Sequence, residues 1–169
     1  MTENERQNPD RVVLDTIPFQ PDMAQLLAIL HMENDGDEAE TVRAMANEAM
    51  AIARPKALIT IGYIDERGDD HVVVNGIRLT SRVLRVNLDA AHRVFAYVAT
   101  AGTEIEQWAY ARNDILERYW ADGIMLMAVR SAVAYMSAYI HEHYRPGQVS
   151  RMNPGSLPDW PLHEQRALC

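Results

Sequence analysis

The segment from about residue 114 to 144 constrains this chain more than any other. As one helix it extends roughly 45 Å at 1.5 Å per residue. Ile115, Tyr119, Leu126, Val129, Val133, Met136 and Ile140 recur along one seam, and Ala121, Met125, Ala128, Ala132, Tyr135 and Tyr139 along a second. A helix apolar on two sides is expected as an internal pillar rather than a surface helix. Ala121, Ala128, Ala132, Ala134 and Ala138 are small enough to let neighbours approach closely, and the methionines read as gap-fillers rather than metal ligands. Asp122 falls in the first seam between Tyr119 and Leu126, where a carboxylate needs a partner. Arg118 or Arg130 is expected to supply it as a structural ion pair. His141 and His143 lie two apart and point to different sides, so interaction with the helix C-terminus is expected rather than metal chelation.

The rest of the chain must supply what packs on that helix. Residues 1–11 read as a disordered tail and 12–169 as a single domain. Val12 to Pro18 reads as a short edge strand. Pro21-Asp22 opens a helix with Met23, Leu26, Leu27 and Leu30 at helical spacing, and a second helix over about 38–53 stops at Arg54-Pro55. From Lys56 the pattern changes to strands: Ala57–Ile64, His71–Val74 and Ile77–Leu79, with Asn75-Gly76 as a tight primed turn. Ser81–Ala91 reads as a short helix. Arg93–Thr100 is apolar on both faces and is expected to be a central strand. A Thr103/Glu106 capping box then opens a helix running to about Asn113.

Charge and composition narrow the function. A net charge of −8 and a pI near 5.2 argue against nucleic acid and anionic membrane surfaces as partners. No apolar run is read as approaching the roughly 20 residues that span a bilayer. The polar start, Met1 to Arg6, lacks the form of a signal peptide. The single cysteine, Cys169, leaves no internal disulfide or cysteine cluster. A cytoplasmic location is the expectation. No serine-histidine-acid set, carboxylate pair or phosphate loop stands out.

The stretch Ser150 to Gln165 is rigid in composition, with prolines at 154, 158 and 161. Pro154-Gly155 is a turn signal, since proline presets one corner and glycine opens the next. Asp159 is placed to cap a short helix beginning at Trp160 or Pro161. With Arg151 on one side and backbone amides at its centre, the loop suits a charged small ligand. The chemistry alone favours a plain surface connector over that reading.

Three runs together, Ser81–Leu88, Val94–Glu104 and Met152-Asn153-Pro154-Gly155-Ser156-Leu157-Pro158-Asp159-Trp160-Pro161, resemble the activation domain of vitamin B12-dependent methionine synthase, and most closely its stand-alone relatives. The resemblance covers most of the chain from about Arg54. It implies an α+β domain with a twisted antiparallel sheet flanked by long helices. It also implies S-adenosylmethionine as cofactor and a cobalamin-bearing protein or domain as partner, with a reductase possible alongside, so that inactive cob(II)alamin is reduced and remethylated. In the family an Arg-x-x-Pro-Gly-Tyr stretch holds the adenosylmethionine, and Arg151-Met152-Asn153-Pro154-Gly155-Ser156 occupies it here. The resemblance thus implies Arg151 on the ligand carboxylate, with Asn153, Pro154, Gly155 and Ser156 forming the rest of the site. Trp160 is expected buried beneath the loop and Arg151 exposed.

Two departures accompany it. Ser156 stands where the family has an aromatic residue. The family also continues through a strand-rich segment and, in stand-alone members, a cysteine-rich tail, whereas the sequence stops at Cys169. A shortened member or fragment is therefore expected, with an apolar patch left near the C-terminal loop and a tendency to self-associate. The readings that follow are an accessory protein of cobalamin-dependent methyl transfer that binds S-adenosylmethionine, a docking module for a corrinoid protein without that ligand, and an inactive fragment.

Overall fold

The computed structural model describes residues 11–168, and the elements follow in chain order as β1 (Arg11–Leu14), α1 (Met23–Ile29), α2 (Asp37–Ile52), β2 (Lys56–Arg67), β3 (His71–Val74), β4 (Ile77–Thr80), α3 (Arg82–Asn87), β5 (Arg93–Thr100), α4 (Thr103–Tyr110), α5 (Ile115–Tyr144), a 3₁₀ turn (Leu162–Glu164) and α6 (Gln165–Leu168). This is an α+β protein with an antiparallel β2–β3–β4 meander. Of the expected tail, residues 1–10 lie outside the described residues and Arg11 already belongs to β1. The chain forms two compact units, one of Leu58–Val98 with the stretch from Pro146 onward, the other of Val13–Ala57 and Ala99–Arg145.

In the first unit the meander carries the core. The strand order is β1-β2-β3-β4, and β5 pairs with β2. Asn75 and Gly76 both take positive φ, 47° and 77°, as a type I′ hairpin turn requires. The Asn75 side chain also reaches back to β2, accepting from the Tyr63 amide at 2.9 Å and donating to the Ile61 carbonyl at 3.2 Å. Gly62 permits this closeness, because a Cβ there would lie 2.4 Å from Val74 Cγ1. Val72, Val74, Leu79, Leu84, Leu88 and Trp160 form the buried cluster.

The expectation of a central β5 is overturned. Among the described residues it pairs with β2 alone, and none of its eight residues is fully buried. Apolar residues on both faces of a strand report partial cover above and below, not a neighbour on each edge. The helix expected over 81–91 is likewise shorter, ending at Asn87.

The second unit is helical. Leu26, Leu27, Val42, Ala46, Ala49, Ile105, Ala109, Ala121, Ile124 and Ala128 are buried together, where α1, α2 and α4 each meet α5. Gly123 lets α1 approach, since a Cβ there would stand 2.7 Å from Leu30 Cδ2. Asp22 caps α1 through the Gln25 amide at 3.1 Å, and Asp114 caps α5 through the amides of Leu116 and Glu117. Between α2 and α4, Glu48 accepts from the Trp108 indole N–H at 3.1 Å and also pairs with Arg112. The Trp108 hydrogen bond, then Arg112, hold the Glu48 carboxyl below the usual range.

Several expectations for the helices fail. The capping box does not form: α4 already begins at Thr103, and its N-cap is Gly102, at φ 95° and without a side-chain cap. A Cβ at Gly102 would meet the Arg54 carbonyl oxygen at 2.7 Å, so close backbone packing decides the residue there. Neither seam is covered along its whole length. The second keeps Ala121, Ala128 and Ala132 inside but leaves Tyr135 43% exposed, and the first buries Met136 and Ile140 but leaves Ile115, Tyr119 and Leu126 86%, 49% and 42% exposed. Asp122 is exposed and forms no ion pair among the described residues, because water replaces the partner that burial would have demanded. Periodicity marks which residues share a side, not whether that side is covered.

The reading of no bilayer-length segment is also corrected. By length and composition α5 is capable of crossing a membrane, with a mean hydropathy of 1.4 over its best window, 39% of which is buried. A core helix packed by α1, α2 and α4 meets the same criterion.

Candidate functional site

The 150–165 loop is built as two consecutive turns locked to one another. The Ser156 amide donates to the Asn153 carbonyl at 3.0 Å, closing a turn with Pro154 and Gly155 at its corners. Gly155 has φ 86°, the value a type II turn needs at its third residue. The Trp160 amide donates to the Leu157 carbonyl at 3.3 Å, closing the second turn, and the Gly155 amide donates to the Trp160 carbonyl at 2.6 Å, tying the two together. Trp160 is buried at 4% exposure with Met152 and Leu157 packed on the same cluster, and Arg151 is exposed, both as expected.

The five residues singled out by sequence fall on this one loop, with distinct roles. Arg151 forms no ion pair or hydrogen bond among the described residues, so its guanidinium is available to an outside anion. Asn153 is exposed, Pro154 is buried as the turn's anchor, and Gly155 faces solvent. Ser156 is exposed, yet its hydroxyl is engaged: it donates to the Asn153 carbonyl at 2.6 Å and accepts from the Asn153 amide at 3.1 Å.

One expectation is corrected by this geometry. The backbone amides at the centre of the loop are not bare, because those of Asn153, Gly155 and Ser156 are all spent on the turns. The side-chain donors of the loop without a hydrogen bond among the described residues include the Arg151 guanidinium and the Asn153 amide. The Ser156 hydroxyl thus braces the turn from within.

Asp159 departs from its expected role in the same way. The 3₁₀ turn begins at Leu162 behind Pro161 and has no side-chain cap. Asp159 instead caps α3, accepting from Ser81 Oγ at 2.7 Å and from the amides of Arg82 at 2.6 Å and Val83 at 3.3 Å. Ser81, buried at 2%, itself accepts from the Leu84 amide at 2.9 Å. The Ser81 hydroxyl, then the Val83 and Arg82 amides, hold the Asp159 carboxyl below its usual value. Ser81 ahead of an apolar run is a visible N-cap signal, whereas nothing local to Asp159 points to a helix so far away in sequence.

Elsewhere, a groove of about 530 Å³ is lined by His31 and by the carboxylates Glu33, Asp35, Asp37 and Glu38. That charge disfavours a carboxylate ligand, and the groove contains none of the loop residues. Among the described residues no group of three His, Cys, Asp or Glu side chains is placed to hold a metal ion. His143 instead stacks on Tyr139 at 3.9 Å, with Nδ1 3.0 Å from the Tyr139 carbonyl. No protein-family model matches the chain, and no curated protein matches it.

Proposed function

We propose that this chain is an accessory protein of cobalamin-dependent methyl transfer, which binds S-adenosylmethionine while a corrinoid-bearing partner is reductively reactivated. The observation that carries the reading is Arg151, an exposed guanidinium with no partner among the described residues, beside a pinned Pro-Gly turn and at the position where the resembling family grips this ligand. A guanidinium forks onto a carboxylate with two parallel charge-assisted hydrogen bonds. Arg151 precedes the pinned turn by two residues, and the Asn153 amide is the second donor within the same loop. When bound, S-adenosylmethionine supplies the methyl group, so the task of the chain is to hold and orient rather than to move protons. We further propose that it works in the cytoplasm, with a reductase as electron source.

A second reading has a specific observation in its favour. The loop amides are spent internally, which suits a docking surface for the corrinoid protein that leaves S-adenosylmethionine to another component. Reconstitution separates the two. A cob(II)alamin-loaded corrinoid protein, a reductant and S-adenosylmethionine should give methylcobalamin by absorbance faster with this chain present than without it, and Arg151→Ala should abolish the gain. A gain that survives Arg151→Ala supports docking alone, and no gain removes both.

A further inference from the structure

One side of α5 is a stripe that is uncovered from Ile115 to Arg130 and becomes covered toward the C-terminal end, where Ile140 on the same side is buried at 6%. At about 100° per residue, Ile115, Tyr119, Asp122, Arg130, Val133 and Ser137 all fall within about 40° of the direction of Leu126. Ile115, Tyr119, Asp122, Leu126 and Arg130 are exposed, and Val133 and Ser137 half-buried. Asp122 and Arg130 form no ion pair or hydrogen bond among the described residues, and eight residues apart on one helix, about 12 Å, they do not reach each other. Arg118, at the margin, is turned to the carbonyls of Tyr110 and Arg112.

The stripe is self-complementary about Leu126. Placed antiparallel against a second copy with Leu126 on a twofold axis, Tyr119 meets Val133, Ile115 meets Ser137, and Asp122 meets Arg130, each pair occurring twice. We propose that this face of α5 is a homodimer interface, with a second copy of the chain as its occupant. An isologous contact requires residue i to meet j while j meets i, and the opposite charges four residues either side of Leu126 meet that condition. They also set polarity, since a parallel pair would bring like charges together. The net charge of −8 on each copy opposes association, but at 0.15 M salt this is screened beyond about 8 Å while the contact pairs are not.

The test is sedimentation equilibrium of the full chain at 0.15 M salt. The expected mass is twice the 19.1 kDa of one chain. Asp122→Arg and Arg130→Asp should each raise the dimer dissociation constant about tenfold or more, because each places two like-charge pairs in the contact. The combined Asp122→Arg/Arg130→Asp variant should restore it, an outcome that loss of folding cannot mimic. In a Cys169→Ser background, Leu126→Cys should cross-link to itself on oxidation, and Glu142→Cys, on another side of the helix, should not. A monomer at every concentration overturns the proposal, whether or not the protein floats with phosphatidylcholine vesicles. So does a dimer insensitive to both charge reversals, or cross-linking equally fast at both cysteine positions.

Discussion

Asp159 accepts a hydrogen bond of 2.7 Å from the hydroxyl of Ser81, 78 residues earlier in the chain, and through it the C-terminal loop closes the first turn of α3. The carboxylate takes the Arg82 and Val83 amides while the serine takes that of Leu84, so three of the orphan donors at the start of a six-residue helix are satisfied. A helix this short is marginal without such help. The loop that carries Arg151 is thereby fixed to the sheet unit at the same point.

Asp159→Asn should therefore lower the melting temperature at pH 7, and Ser81→Ala, which removes a buried cap, should cost about 0.5–2 kcal/mol. The folded state holds the Asp159 carboxyl below its unfolded value, so its contribution is full above about pH 3.9 and is lost as pH falls through the lowered folded value. The melting-temperature gap between wild type and Asp159→Asn should accordingly be widest near neutrality and close in acid. Circular dichroism melts at pH 7 and in steps below pH 4 check this, and a gap that widens in acid would be evidence against the cap.

Gly123 sets two effects against each other. Alanine at this helical position gains about 1 kcal/mol in propensity. Its Cβ would also stand 2.7 Å from Leu30 Cδ2, and Leu30 is buried at 6% with little room to swing away. Overpacking of this kind costs about 1–3 kcal/mol, so Gly123→Ala should be net destabilising. Adding Leu30→Val should recover part of the loss. Urea denaturation measures both, and a Gly123→Ala variant more stable than wild type would mean that α1 and α5 are further apart than described.

Gly155→Val tests the turn. A β-branched residue at φ 86° is strained by about 1–2 kcal/mol, and its Cβ would come within 3.2 Å of Leu162. The loop should loosen while the helical unit stays intact, giving lower proteolytic resistance after Arg151 with near-normal helical circular dichroism. Wild-type protease resistance would show that the positive φ is not needed.

Much of this architecture was legible in local pattern. The opening of α1 at Asp22, Asn75-Gly76 as a primed turn and the span of α5 were each readable from the residues concerned, whereas the Asp114 cap went unread. What sequence did not disclose depends on partners remote along the chain. The exposure of Leu126, the edge position of β5 and the helix that Asp159 caps are set by which elements fail or manage to reach them. The loop shows both cases. Its Pro-Gly turn was readable, but the closing of its amides needed Ser156 Oγ and the Trp160 carbonyl in place.

The measurement closest to the central claim is isothermal titration calorimetry of the folded chain with S-adenosylmethionine, in parallel with Arg151→Ala and Arg151→Lys. A saturable heat with micromolar affinity is expected for wild type, weakened by about 1.5–3 kcal/mol in Arg151→Ala, the worth of a hydrogen bond to a charged group. Arg151→Lys should recover part of it, since the charge remains without the fork. No heat from a protein whose circular dichroism and melting are intact, or equal affinity for wild type and Arg151→Ala, would contradict the assignment of this loop to the ligand.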